Sequence, residues 1–146
     1  STISYEPNAY YIFDRAYDSF KELYRIHLTG SYYVVRAKTN LKYKVVKWKR
    51  RMPKNILTDA EVKLTGYLSE KKYPDSFRLI RFYDEEDERE FTFLTNAKHI
   101  TAIDVAELYK KRWLVELFFK WLKQHLKIKK FWGTTENAVR IQIVLQ

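Results

Sequence analysis

The chain has 146 residues, no cysteine, a formal net charge of +10 and a pI of about 9.6. That length supports one cored domain with room for an embedded subdomain. The lack of thiols excludes a disulfide framework and a thiolate zinc site, and the charge favours an anionic partner. No apolar run approaches the roughly 18 residues of a membrane span and the start lacks a signal-peptide pattern. The expectation is a soluble, intracellular protein with no membrane partner.

Residues 1–9, with Glu6 as their single acid, read as a linker. Tyr10 to Asp14 is a short β-rich run. Ser19 is placed to cap a helix running to about Leu28 and stopped by Gly30, after which Tyr32 to Lys38 reads as a second strand. Strand, helix, strand at this spacing predicts a right-handed crossover with parallel strands. Asp14 then falls at the carboxyl end of its strand, where open α/β sheets place ligands. The plainer alternative is a turn or helix-capping aspartate.

From Tyr43 to about Leu94 the pattern changes to short β-like runs at Lys42-Tyr43-Lys44, Val62-Lys63-Leu64, Phe77 to Tyr83 and Glu88 to Leu94. Asp84 to Glu88 is five acids in a row and reads as a solvated hairpin turn, since consecutive carboxylates on a turn diverge. No acid lies between Glu22 and Asp59, while Arg36, Lys38, Lys42, Lys44, Lys47, Lys49, Arg50, Arg51 and Lys54 supply nine cations. Such a run neutralises phosphate with little regard to sequence, or is simply a solvated basic loop. Trp48 within it can stack on an unpaired base or pack in a core. Trp113, Trp121 and Trp132 read as packing. His27, His99 and His125 show no ligand or triad spacing.

Thr101 or Asp104 can cap a long helix holding Tyr109, Arg112, Glu116 and Lys123. At about 100° per residue, offsets of 3, 7 and 14 from Tyr109 fall at roughly 300°, 340° and 320°, so the four share an arc of about 60°. Val115, Leu117, Phe118, Phe119, Trp121 and Leu122 make the rest apolar. The stripe is either a solvated row of i,i+4 ion pairs, each stabilising by a few tenths of a kcal/mol, or a carboxylate held ionised by cations that bind phosphate. Beyond Gly133-Thr134-Thr135-Glu136, a last amphipathic segment with Val139, Ile143 and Val144 is expected to be helical, with more helix following in a longer protein.

The spacing Tyr109-x2-Arg112-x3-Glu116-x6-Lys123 resembles the signature of bacterial insertion-sequence transposases of the Asp-Asp-Glu class, whose Glu is the third catalytic carboxylate. Asp14-Arg15-Ala16-Tyr17 is similar to the Asp-Arg-Gly-Tyr segment bearing that family's second catalytic Asp, with Ala16 standing where the family has Gly. The resemblance covers the chain from about Tyr10 onward. It implies an α/β fold: a partial RNase H-like core over residues 1–42 and 97–146, with an inserted antiparallel β-subdomain over 43–96. It implies Asp14 and Glu116 as catalytic and metal-binding residues for two Mg²⁺ or Mn²⁺ ions, together with an upstream Asp absent from this chain. Tyr109, Arg112 and Lys123 would then contact phosphates at the transposon end, with Arg36 and Lys38 as further backbone contacts. The implied activity is metal-dependent cleavage and strand transfer of transposon-end and target DNA. The parent would act as a homodimer in the bacterial cytoplasm, nucleoid-associated when on DNA, and the fragment would be inactive alone. A non-catalytic nucleic-acid-binding module and a partner-docking interaction domain stay open as alternatives.

Overall fold

The short apolar runs become strands because their alternate side chains find cover on both faces. In the computed structural model these are β1 (Tyr10–Phe13), β2 (Tyr32–Arg36), β3 (Tyr43–Trp48), β4 (Ile56–Leu64), β5 (Phe77–Asp84), β6 (Arg89–Thr95) and β7 (Ala138–Ile141). The helices are α1 (Phe20–Leu28), α2 (Tyr67–Lys72) and α3 (Ala102–Leu126). The structure describes residues 4–13, 19–38, 40–126 and 138–141, with side chains given only in part from 113 to 126 and not for 138–141. Among the described residues the strands form one mixed sheet in the order β3-β4-β5-β6-β2-β1-β7.

β1 and β2 are parallel, pairing Tyr10 with Tyr32 through Phe13 with Val35, and α1 supplies the crossover that such a pair requires. Ser19 starts α1, its Oγ accepting from the Glu22 amide at 3.2 Å. After α1 the chain turns back at Gly30, whose φ of 77° is a left-handed conformation that costs glycine little. β3 to β6 run antiparallel in succession, and β6 pairs antiparallel with β2, so the meander extends the β1–β2 pair without a break.

Period-two alternation divides the core into two layers. Tyr11, Phe13, Tyr33, Val35, Leu79 and Leu94 face α1, packing with Leu23 and Ile26. Tyr10, Ile12, Val34, Ile80, Phe82 and Phe93 face α3, packing with Val105, Ala106, Leu108 and Tyr109. Each fully buried aliphatic or aromatic side chain contributes about 1.5–3 kcal/mol. Buried Asn96 ties β6 to β2: its Oδ1 accepts from the Tyr33 amide at 2.9 Å and its Nδ2 donates to the Ser31 carbonyl at 2.9 Å.

Two sequence expectations are corrected here, and one element is added. The segment around Val139 is strand over Ala138–Ile141, antiparallel to β1, and not helix; Ile143 and Val144 lie outside the described residues. β4 begins at Ile56, six residues before its expected start, because the buried Asp59 disguises its first half as a loop. α2 was unforeseen, since six residues are too few to show a helical period.

Candidate active site

α3 starts at a reciprocal cap. Thr101 Oγ1 accepts from the Asp104 amide at 3.1 Å, and an Asp104 carboxylate oxygen accepts from the Thr101 amide at 3.0 Å. Just before it, the buried Arg78 of β5 fixes the incoming chain. Its Nη1 donates to the carbonyls of Ala97 at 3.0 Å and Ile100 at 2.7 Å, while Nε and Nη2 hold Asp59 bidentately at 2.8 and 2.7 Å. An ion pair this deep is tolerated because its hydrogen-bonding groups are answered.

The tyrosine and arginine of the charged stripe face the sheet. Tyr109 is 4% exposed and its ring lies 4.9 Å from Phe93 and 5.7 Å from Phe91, centroid to centroid. Arg112 is 0% exposed. On the other side of the same helix Leu114 is 63% exposed and Phe118 55%. The solvated ion-pair reading of the stripe is therefore excluded at Tyr109 and Arg112. Glu116 and Lys123 lie on α3, but their side chains are outside the described residues.

At the carboxyl end of β1 and β2 the alternation that turns Tyr10 and Ile12 toward α3 ends with Phe13, and Asp14 lies outside the described residues. On β2, Arg36 follows Val35, the partner of Phe13, and pairs across to Phe93 of β6. Its guanidinium sits 6.0 Å from the centre of the Phe91 ring, and that of Arg89 sits 4.5 Å from the same ring. Arg36, Arg89, Phe91, Asp84, Tyr109 and Lys110 line a groove of about 620 Å³ between α3 and the β5–β6 hairpin. Lys38 is exposed beyond the end of β2 and lines a neighbouring hollow with Arg36.

Asp84 departs from the solvated-turn expectation. It is 2% exposed, and one of its oxygens accepts from Lys110 Nζ at 3.1 Å and from the Glu86 amide at 3.1 Å. Burial pushes its carboxyl up, but Lys110 and the Glu86 and Asp87 amides outweigh that and hold it below the ordinary aspartate range. Neither Asp84–Lys110 nor Asp59–Arg78 was foreseen. A strand parity extended one residue past Tyr83 would have placed Asp84 on the α3 side, whereas nothing in the local pattern marks Arg89 or Asp59.

The basic run is a different kind of surface. β3 is an edge strand with Lys44 and Lys47 exposed, Lys49 is exposed just beyond it, and Trp48 is 61% exposed, which removes the core reading of that tryptophan. Trp48, Lys47, Lys49 and Lys98 border a shallow pocket over β4. His27, partly buried, is hydrogen-bonded through Nδ1 with Asn96, and the exposed His99 with Tyr10, so both have structural partners at the margins of the core.

The match that decides the family runs over residues 2–146, to the transposase DDE domain. The chain belongs to that family. This DDE domain is 37% identical to a Sinorhizobium fredii protein named as transposase y4zB, over 97% of the chain and 41% of the relative. It is 33% identical to a Geobacillus stearothermophilus protein named as a transposase for insertion sequence element IS5377, over 89% of the chain and 34% of the relative. A Synechocystis protein named as a transposase for element IS4SA is 31% identical, over 93% of the chain and 38% of the relative. The DDE domain thus spans about two fifths of the curated relatives it matches. No solved structure matches it. Among the described residues no group of three His, Cys, Asp or Glu side chains could hold a metal ion, and no helix is long and apolar enough to cross a membrane.

Proposed function

We propose that this DDE domain carries the second and third catalytic carboxylates, Asp14 and Glu116, of a bacterial insertion-sequence transposase that cleaves and joins DNA. The observation that carries the reading is the inward turn of Tyr109 and Arg112, both buried against the sheet on the side that Tyr10 and Ile12 of β1 also face. Asp14 follows Ile12 by two positions in sequence, the parity that a strand keeps on one face. Glu116 follows Arg112 by one helical turn on the same face. A guanidinium carried fully into a core is retained where carboxylate or phosphate answers it.

The domain is read as part of an RNase H-like core, with β3–β6 as the inserted antiparallel section between the two carboxylates. Asp14 and Glu116 fit hard divalent cations by donor chemistry, since carboxylate oxygens suit Mg²⁺ or Mn²⁺. Such ions, two of them with a further Asp from the longer protein, would supply Lewis-acid stabilisation of the oxygens in phosphoryl transfer. This chain's own residues do the rest. Water or a DNA 3′-hydroxyl attacks phosphorus in line, the bond from phosphorus to the leaving oxygen breaks, and no covalent enzyme intermediate forms. Lys123 neutralises the phosphate, Arg112 and Tyr109, buried as they are, act from the core side by keeping Glu116 ionised, and Arg36 and Lys38 hold the backbone alongside. The parent would work as a homodimer on DNA, in the cytoplasm and on the nucleoid, and this section alone would be inactive.

Glu116→Gln and Asp14→Asn in the full-length protein test the proposal. Strand cleavage should fall below detection while DNA binding is retained. Cleavage that survives Glu116→Gln would favour a non-catalytic nucleic-acid-binding module instead.

A further inference from the structure

The geometry points to Arg89, acting with Arg36, as a phosphate-binding pair at the mouth of the groove beside Tyr109; the inference rests on the transposase reading above. The two guanidinium groups come from different strands, Arg36 at the end of β2 and Arg89 at the start of β6, and both lie over the Phe91 ring. Neither has a carboxylate within ion-pair distance among the described residues. Their neighbours differ in just this respect. Lys110 is held by Asp84 at 3.1 Å, Arg81 by Glu90 at 3.0 Å and Lys54 by Glu85 at 3.1 Å.

A single guanidinium over a phenyl ring is an ordinary cation–π contact. Two converging on one ring repel each other, and nearby carboxylates would relieve that repulsion. Asp84, the cross-strand partner of Arg89, is taken by Lys110, and Glu86 and Asp87, which also line the groove, form no ion pair with Arg36 or Arg89. What this arrangement fits is an external anion able to take two planar, multi-donor groups, and a DNA phosphate has that chemistry. Phe91, over which both guanidinium groups lie, is itself packed against Phe93 and Tyr109. Because Arg36 follows the β2 partner of Phe13, the pair lies next to the strand end from which Asp14 continues. A phosphate held there would be a neighbour of the reacting one.

The test is a titration of this 146-residue chain against a fluorescein-labelled duplex of arbitrary sequence over a range of salt concentrations. Each phosphate that the protein no longer neutralises lowers the slope of log K against log salt by about 0.9. Arg89→Ala and Arg36→Ala should each lower it by about one such unit and the double variant by about two. Arg81→Ala, on the same hairpin but held by Glu90, should leave it unchanged, and Arg89→Lys should restore it. An unchanged slope in Arg89→Ala at wild-type Tm overturns the inference, as does a wild-type chain whose binding does not depend on salt. Glu116→Gln cleavage in the full-length protein separates the two failures. Abolished cleavage with the Arg89→Ala slope unchanged removes the pair and leaves the catalysis. A lowered slope with cleavage indifferent to Glu116 keeps the pair and removes the catalysis.

Discussion

β3 and α3 treat their charges in opposite ways. Along β3, Lys44 and Lys47 are exposed beside an exposed Trp48, on the outer edge of the sheet. Along α3, Arg112 and Tyr109 turn into the core while Leu114, Leu117, Phe118 and Trp121 are left 44–63% exposed. A cation on an edge strand keeps its hydration and costs almost nothing to place, whereas one carried into a core costs several kcal/mol unless an anion meets it there. Composition counts the two alike. Burial separates them, and it is the expensive placement that marks the specific site.

The sharpest way to break that contrast is Arg112→Ala. If Arg112 is an answered charge in the core, removing it leaves a cavity and an uncompensated partner, and the chain should lose about 3–5 kcal/mol. For a chain of this size that lowers Tm by roughly 6–20 °C. A solvated stripe would lose only a few tenths of a kcal/mol, so an unchanged Tm would return α3 to the ordinary amphipathic reading.

A smaller effect is expected where α3 meets the hairpin. Asp84→Asn removes the charge that holds Lys110, and with Lys110 itself 39% exposed the loss should be about 1 kcal/mol. Its pH dependence has a definite sign. The Asp84 carboxyl is depressed in the folded protein, so the stability it contributes is fully present above its unfolded value of about 3.9 and is lost as pH falls through the lower folded value. Thermal melts between pH 5 and pH 2 should therefore be flatter for Asp84→Asn than for wild type. Parallel curves would mean that Asp84 carries no such linkage.

The same contrast explains what the sequence made legible. β1, α1 and β2 could be read because Ser19 and Gly30 bracket the helix and uninterrupted apolar runs mark strands covered on both faces. The spacing of Tyr109 and Arg112 placed them on one face, but sequence could not say that this face was the buried one, since Leu114, Leu117 and Phe118 offered an equally good inner surface. Asp84 was misread, and the start of β4 around Asp59 was missed, for one reason: a buried acid looks like loop until its cation is known. Arg78 lies 19 residues from Asp59 and Lys110 lies 26 from Asp84, beyond any local pattern. Arg36 was reachable as the end of a strand. Arg89 was not, because only the fold brings it over the same ring as Arg36.

The smallest expected effect on stability belongs to β3 and tests the other half of the contrast. Replacing Lys44 and Lys47 with Ala should move stability by no more than about 0.5 kcal/mol, because both side chains are exposed. Their role is then read from two other quantities. Lysines on an exposed edge strand can serve to prevent edge-to-edge pairing between copies, and they can serve to neutralise phosphate. If they guard the edge, the double variant should self-associate in sedimentation while its salt slope for duplex binding stays at the wild-type value. If they hold DNA, the slope should fall by the equivalent of about two phosphates with the chain still monodisperse. The second result is expected, since nine cations run from Arg36 to Lys54 without an acid, more than an edge six residues long needs for protection.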